Sequence, residues 1–253
     1  MAISIKKPAE IEKMRKASLI VYQTLELLKK HVKEGISLLE LDKIGEDFIR
    51  SHERARPSFK GLYGFTGSVC TSLNEVIIHG IPTQTKLKEG DIIGLDVGVE
   101  LDGWHGDAAI TEPVGEVSEK HRDLVACSKD TLEYAISIIK TGMRFKELSA
   151  KIEEFILGRG YVPLQSYCGH GIGTKPHEEP EILNYLEGDN PKQGPKIKEG
   201  MVFCLEPMIC QKSVEADVLA DKWSVVSKDG LYGSHYEHTI AVVNGKAQIL
   251  SKE

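Results

Sequence analysis

Lys88-Glu89-Gly90-Asp91-Ile92-Ile93-Gly94-Leu95-Asp96 and Lys198-Glu199-Gly200-Met201-Val202-Phe203-Cys204-Leu205-Glu206 are built on one pattern. Each is a Lys-Glu-Gly turn, then an apolar strand, then one carboxylate where the apolar run stops. A carboxylate at the end of a buried strand is costly unless something pairs with it. The same device used twice points to two carboxylates converging on one object. A metal centre between duplicated halves is the simplest such object.

The repeat extends outward from these strands. Gly35, Glu40-Leu41 and Glu46-Asp47-Phe48-Ile49 align with Gly142, Glu147-Leu148 and Glu153-Glu154-Phe155-Ile156, at nearly the same offset as the strand pair. Apolar Ile11, Met14, Leu19, Tyr22, Leu25 and Leu28 recur at helical spacing, predicting a helix from Pro8 to about His31. A second helix is predicted from Ser37 to about Arg50, then strands over 58–111. The order restarts with helices from Ser118 to Lys140 and from Lys146 to Leu157, and short strands follow from Tyr161. Gly188 to Gly200 reads as a surface loop. The expected fold is α+β: one catalytic domain, 1–253, with halves of roughly 8–111 and 118–250 about a pseudo-two-fold axis. A curved antiparallel sheet would carry helices on one face and leave the other free for a site.

At 253 residues the chain can bury a full core. Its 41% hydrophobic and 28% charged content is ordinary for a globular protein. A net charge of −6 argues against a nucleic-acid binder held by bulk charge. Met1 to Ile20 carries Lys and Glu throughout, so neither a secretory signal nor a membrane span is expected. Five cysteines, 70, 127, 168, 204 and 210, form no CxxC and suit a reduced, cytoplasmic protein, most of them as small buried hydrophobes.

Asp96 and Asp107 flank an Asp102-Gly103 turn signal. A turn centred there sets Asp96 opposite position 109; a turn one residue earlier sets Asp96 opposite Asp107. Either register puts both carboxylates on one hairpin face, where a bound cation relieves their repulsion. His170 lies between two glycines in Cys168-Gly169-His170-Gly171-Ile172-Gly173, which opens the imidazole to close approach. The spacing is not that of a dinucleotide loop, and Pro176 stands where a helix should begin. Glu206 ends the second repeat strand, and Glu237 enters the last strand run from Tyr236. Four carboxylates and one imidazole suit two hard or borderline divalent ions that share oxygen ligands. Two such ions roughly 3.5–4 Å apart can hold a bridging water and acidify it.

The chain resembles the type I methionine aminopeptidases. The resemblance rests on Ser72-Leu73-Asn74-Glu75-Val76-Ile77-Ile78-His79-Gly80-Ile81-Pro82, Leu95-Asp96-Val97-Gly98, Gly106-Asp107, Gly169-His170-Gly171-Ile172-Gly173, His177-Glu178-Glu179-Pro180, Glu206-Pro207-Met208 and Tyr236-Glu237-His238-Thr239. It implies the pita-bread fold and hydrolysis by a metal-bridging water at Asp96, Asp107, His170, Glu206 and Glu237. It implies Glu206 as general base, His79 near the substrate amine and scissile amide, and His177 as a donor to the scissile carbonyl. Cys70, Phe65 and Trp223 are implied as walls of a methionine pocket. Two divalent ions are expected, with Co, Mn, Fe, Zn and Ni all open. The expected partners are N-termini of nascent polypeptides, preferably with a small second residue. Transient ribosome association, a monomer, no nucleic-acid cofactor and no membrane are expected too. Leu62 and Pro176 depart from the family, which commonly has aromatics at these positions of the pocket mouth. The short interval from Glu206 to Glu237 leaves no room for the helical insert of type II enzymes. Two rivals share the fold: a prolidase-like or Xaa-Pro aminopeptidase, and a catalytically inactive binding module.

Overall fold

The computed structural model describes residues 2–253. Helices α1 (Pro8–His31) and α2 (Leu38–Arg50) precede β1 (Ala55–Pro57), β2 (Val69–Leu73), β3 (Val76–Ile78), β4 (Ile92–Leu101) and β5 (Trp104–Pro113). Helices α3 (Glu119–Ile138) and α4 (Phe145–Gly158) then precede β6 (Val162–Pro163), β7 (Gly169–Gly171), β8 (Glu178–Ile182), β9 (Val202–Leu205) and β10 (Met208–Cys210). Five further strands complete the order: β11 (Ala216–Val218), β12 (Val225–Ser227), β13 (Gly233–His235), β14 (Glu237–Val243) and β15 (Lys246–Ile249). The expected order of helices and strands is thus observed, with helix ends within two residues of expectation, but β1 lies wholly before the stretch 58–111 expected to hold the first strands.

Local chemistry sets the helix ends. Pro8 occupies the first turn of α1, where its missing N–H costs nothing, and Lys29, Lys30 and His31 face the negative end of the helix dipole. Ser37 and Glu40 cap α2 reciprocally: Glu40 N–H donates to Ser37 Oγ at 3.2 Å, and Ser37 N–H donates to Glu40 Oε2 at 2.8 Å. The two Lys-Glu-Gly turns share one geometry, Gly90 at φ +92 and Gly200 at φ +80, which a side chain would strain.

A nine-stranded sheet runs β1-β4-β5-β14-β9-β7-β8, with β2 also on β4 and β15 on β14. Strands β4 and β5 pair along their whole length, Asp96 opposite Ala109 and Gly98 opposite Asp107. Asp102 (φ 53) and Gly103 (φ 80) are the two turn residues, so the first of the two possible registers is the real one. The sheet joins first-half to second-half strands at β5–β14, where Glu237 lies opposite Ala109. Helices α1 and α2 bury Val21, Leu25, Leu28 and Leu41 against Leu95, Val97 and Val99 of β4. Helices α3 and α4 bury Leu132, Leu148 and Ile152 against Phe203, Leu205 and Ile240. Burial of each such side chain favours folding by about 1.5–3 kcal/mol, so both helix pairs are held to one side of the sheet. Two small three-stranded sheets, β13-β10-β6 and β11-β12-β3, were not expected from the sequence. Among the described residues no helix is long and apolar enough to cross a membrane.

Candidate active site

On the sheet face away from the helix pairs, cross-strand registry lines up the acidic residues. Asp96 and Glu237 both lie directly opposite Ala109, on its two sides, so all three side chains share a face. The methyl group of Ala109 leaves the space between the two carboxylates open. Asp107 lies two residues from Ala109 along the same face of β5. Glu206 follows β9, whose Leu205 pairs with His238. His170, on β7, brings its Nε2 to 3.5 Å from Glu206 Oε1. One oxygen or nitrogen each from Asp107, His170 and Glu237, with the Cys204 sulfur, fall within 4.8 Å of one another, as do atoms of Glu206, His235 and Glu237.

The backbone under this cluster is fixed. Thr239 Oγ1 accepts the Asp107 N–H at 2.9 Å and donates to the Asp107 carbonyl at 2.7 Å. Asn184 Nδ2 donates to the Glu206 carbonyl at 3.0 Å. The glycines beside His170 are demanded by close approach. A Cβ on Gly169 would lie 2.5 Å from the Cys204 carbonyl oxygen, and one on Gly171 only 2.1 Å from the Glu179 carbonyl oxygen. His170 Nδ1 lies 3.0 Å from the Gly171 carbonyl. A carbonyl only accepts, so Nδ1 holds the proton and Nε2 keeps its lone pair for a ligand.

Burial raises every carboxyl in the set, and repulsion from neighbouring carboxylates adds to it at Asp107, Glu206 and Glu237. Desolvation lifts Asp96 to about 7. Asp107 is pushed well above the carboxylate range by burial, then by Glu237 and Asp96. Glu206 is raised likewise by burial, then by Asp107 and Asp96, and Glu237 by burial, then by Glu206 and Asp96. Burial lowers His170 to about 3 and His79 to about 4, so both imidazoles are neutral. Asp96 Oδ1, Asp107 Oδ1, Glu206 Oε1 and Glu237 Oε1 are buried without a hydrogen-bond partner among the described residues. No Lys or Arg among those residues pairs with any of the four. Orphaned, oxygen-rich and acidic, this set fits divalent cations, whose charge would reverse the repulsion.

Above the cluster lies a cavity of about 520 Å³, lined by all ten residues expected as ligands, catalytic groups or methionine-pocket walls. Phe65 and Trp223 meet edge-to-face at 5.1 Å, and Cys70 lies opposite Asp96 in the β2–β4 pairing. Burial and the neighbouring Asp96 and Asp107 raise the Cys70 thiol well above its ordinary value, so it is a neutral, apolar wall. His79 sits at φ 59, a left-handed conformation costly for a histidine, and its ring stands edge-on to Tyr167 at 5.4 Å. His177 lies at the exposed mouth, 4.4 Å from His170 and 6.4 Å from the Tyr63 ring, with which it is nearly parallel.

Several lining residues were not picked out in the sequence. Phe59, Tyr63, Ile78 and Tyr167 line the cavity; of the two positions expected at the pocket mouth, Leu62 lines it and Pro176 does not. Phe59 precedes, and Tyr63 lies within, a single 3₁₀ turn (Leu62–Gly64) too short to show a period, so no pattern marks them. His235 and Cys204 are also absent from the expected set. Cys204 looks like a core residue in its apolar strand, and His235 looks like an ordinary residue flanking Tyr236-Glu237.

Residues 12–244 match the metallopeptidase family M24. A methionine aminopeptidase of Helicobacter pylori is 64% identical over 253 residues, 100% of this chain and 100% of its own. The crystal structure of a methionine aminopeptidase from Thermotoga maritima aligns with a TM-score of 0.95 and 38% identity, covering 100% of each chain. A prolidase from Pyrococcus furiosus aligns with a TM-score of 0.80 and 25% identity, but this chain spans only 65% of it.

Proposed function

The chain belongs to metallopeptidase family M24, and from that membership we propose that it is a metal-dependent aminopeptidase removing N-terminal methionine, preferentially before a small second residue. Its helix-backed antiparallel sheet is the pita-bread fold of its structural neighbours. The observation that carries the reading is the floor of the cavity: four orphaned buried carboxylates and one imidazole with a free Nε2, beneath apolar and aromatic walls. The prolidase likeness leaves the fold in common, but the full-length match is to methionine aminopeptidases.

Asp96, Asp107, His170, Glu206 and Glu237 are the residues that would hold divalent ions, and two ions suit their number. Such ions would supply Lewis acidity and bring the pKa of water towards neutrality. The remaining work falls to side chains. Glu206 takes a proton from the attacking water and returns it to the leaving nitrogen. His177, at the mouth, donates to the scissile carbonyl oxygen as negative charge develops on it. His79, whose ring is braced edge-on by Tyr167, faces the substrate amine and amide. Phe65, Cys70 and Trp223, with Phe59 and Leu62, enclose one unbranched thioether in apolar surface. Five free cysteines support a reducing, cytoplasmic compartment. A monomer that meets nascent N-termini at the ribosome is the working arrangement we propose.

Hydrolysis of Met-Ala-Ser, Met-Glu-Ser and Ala-Pro peptides tests this. Cleavage of the first alone is expected. Preferred cleavage of Ala-Pro would replace the reading with a prolidase-like one, and no cleavage of any peptide would favour an inactive binding module.

A further inference from the structure

His235 ends β13 and is held from both sides. Its N–H donates to Thr111 Oγ1 at 3.0 Å, and its carbonyl accepts from the same hydroxyl at 2.8 Å. On its other flank it pairs with Met208 of β10. Only 4% of the residue is exposed. Its Nε2 is buried without a hydrogen-bond partner among the described residues, yet lies 3.8 Å from Glu206 Oε2 and 3.8 Å from Glu237 Oε2. Glu206 therefore lies between two imidazoles, with Oε1 towards His170 and Oε2 towards His235.

Resting on the role given to Glu206 above, we propose that His235 is a positioning residue of the reaction: its Nε2–H orients the carboxylates of Glu206 and Glu237 from behind the metal-binding cluster, without itself being a ligand. A carboxylate that offers one oxygen to a cation swings about its last torsion unless the other oxygen is held. An N–H aimed at that second oxygen holds it. Closing 3.8 Å to a hydrogen bond of about 2.8–3.2 Å requires a carboxylate shift of under about 1 Å. The tethered backbone keeps the imidazole from following, so it serves both carboxylates as a fixed reference.

His235→Gln and His235→Met separate donor from ligand and from simple filling. The Gln amide nitrogen lies the same number of bonds from Cα as Nε2 and keeps an N–H; Met fills similar space with no donor. Three readouts are compared: kcat and KM on Met-Ala-Ser, melting temperature, and the Kd for Mn2+ or Co2+ by calorimetry. His235→Met should lose about 10–100-fold in kcat with KM little changed, the usual range for an outer-shell partner of a metal site. His235→Gln should restore kcat to within a few-fold of wild type and bind metal within a few-fold of wild-type Kd. Wild-type kcat in His235→Met would overturn the proposal. So would metal binding impaired equally in both variants, which marks a direct ligand, or equal loss of melting temperature with kcat unchanged, which marks packing. Wild-type protein that cleaves no Met-Ala-Ser defeats the aminopeptidase reading instead. The calorimetry then still decides: metal binding weaker in His235→Met than in His235→Gln supports the orienting role, and equal binding in both variants overturns it.

Discussion

Replacing Gly171 with alanine should damage the site from behind. The new Cβ would lie 2.1 Å from the Glu179 carbonyl oxygen, 2.6 Å from its carbon and 3.0 Å from the Glu178 oxygen. All three are backbone atoms, so no change of side-chain rotamer relieves the clash. An uncrowded C···O contact is about 3.3 Å or more, so β7 and β8 must part by about 1 Å. That moves His170, or the His177-Glu178-Glu179 segment, or both. Misplacement by about 1 Å can cost roughly 100-fold in rate. Overpacking of this kind costs about 1–3 kcal/mol, which in a chain of this size lowers Tm by about 2–12 °C. Differential scanning fluorimetry and steady-state hydrolysis of Met-Ala-Ser read both effects. Gly158→Ala, at the end of α4 with nothing among the described residues within 4 Å of the new methyl, is the control and should keep wild-type activity and Tm. Gly171→Ala with kcat within twofold of wild type and unchanged Tm would mean that the two strands take up the methyl without moving the site.

Two further predictions separate catalysis from stability. His177→Ala should lower kcat about 100-fold, the scale of losing one oxyanion donor, with bound metal and Tm near wild type; a lowered Tm with normal kcat would make His177 structural. Asp42 is buried, accepts the Ser68 and Val69 N–H groups through Oδ1, and has its carboxyl raised by desolvation against the pull of those bonds. A carboxyl whose pKa is higher folded than unfolded takes up a proton on folding. Its contribution is therefore full in acid and is lost as pH rises from the unfolded value through the folded one. Asp42→Asn keeps the acceptor and removes that titration, so the variant should gain stability relative to wild type as pH rises from acid to neutral. A Tm difference independent of pH in chemical and thermal melts would count against it.

The chemistry-bearing face was legible in the sequence because period-two alternation and turn chemistry are local. Asp102-Gly103 determines the β4–β5 register, and the hairpin it closes puts Asp96 and Asp107 on one face. The paired Lys-Glu-Gly turns were equally readable, since each needs a glycine at positive φ. What stayed hidden depends on distant contacts. Glu237 and Asp96 meet only because β14 joins β5, a pairing between residues far apart in the chain. Three-residue strands such as β13 show no period, so His235 had nothing to distinguish it. The left-handed backbone of His79 is likewise invisible in a residue type that usually avoids it. Lys6, buried and 2.8 Å from Glu178 Oε2, ties the N-terminal segment to the strand that follows His177, and nothing near either residue announces the pair.

The role proposed for the four carboxylates and His170 is to hold divalent metal for peptide hydrolysis. Bound metal and Met-Ala-Ser turnover, measured together on wild type and Asp107→Asn during titration of chelated protein with Mn2+ or Co2+, test it directly. No turnover is expected in chelator, recovery in wild type should track bound metal, and Asp107→Asn should bind metal weakly and turn over little. Full turnover in excess chelator, or an Asp107→Asn variant that binds metal and turns over like wild type, would contradict it.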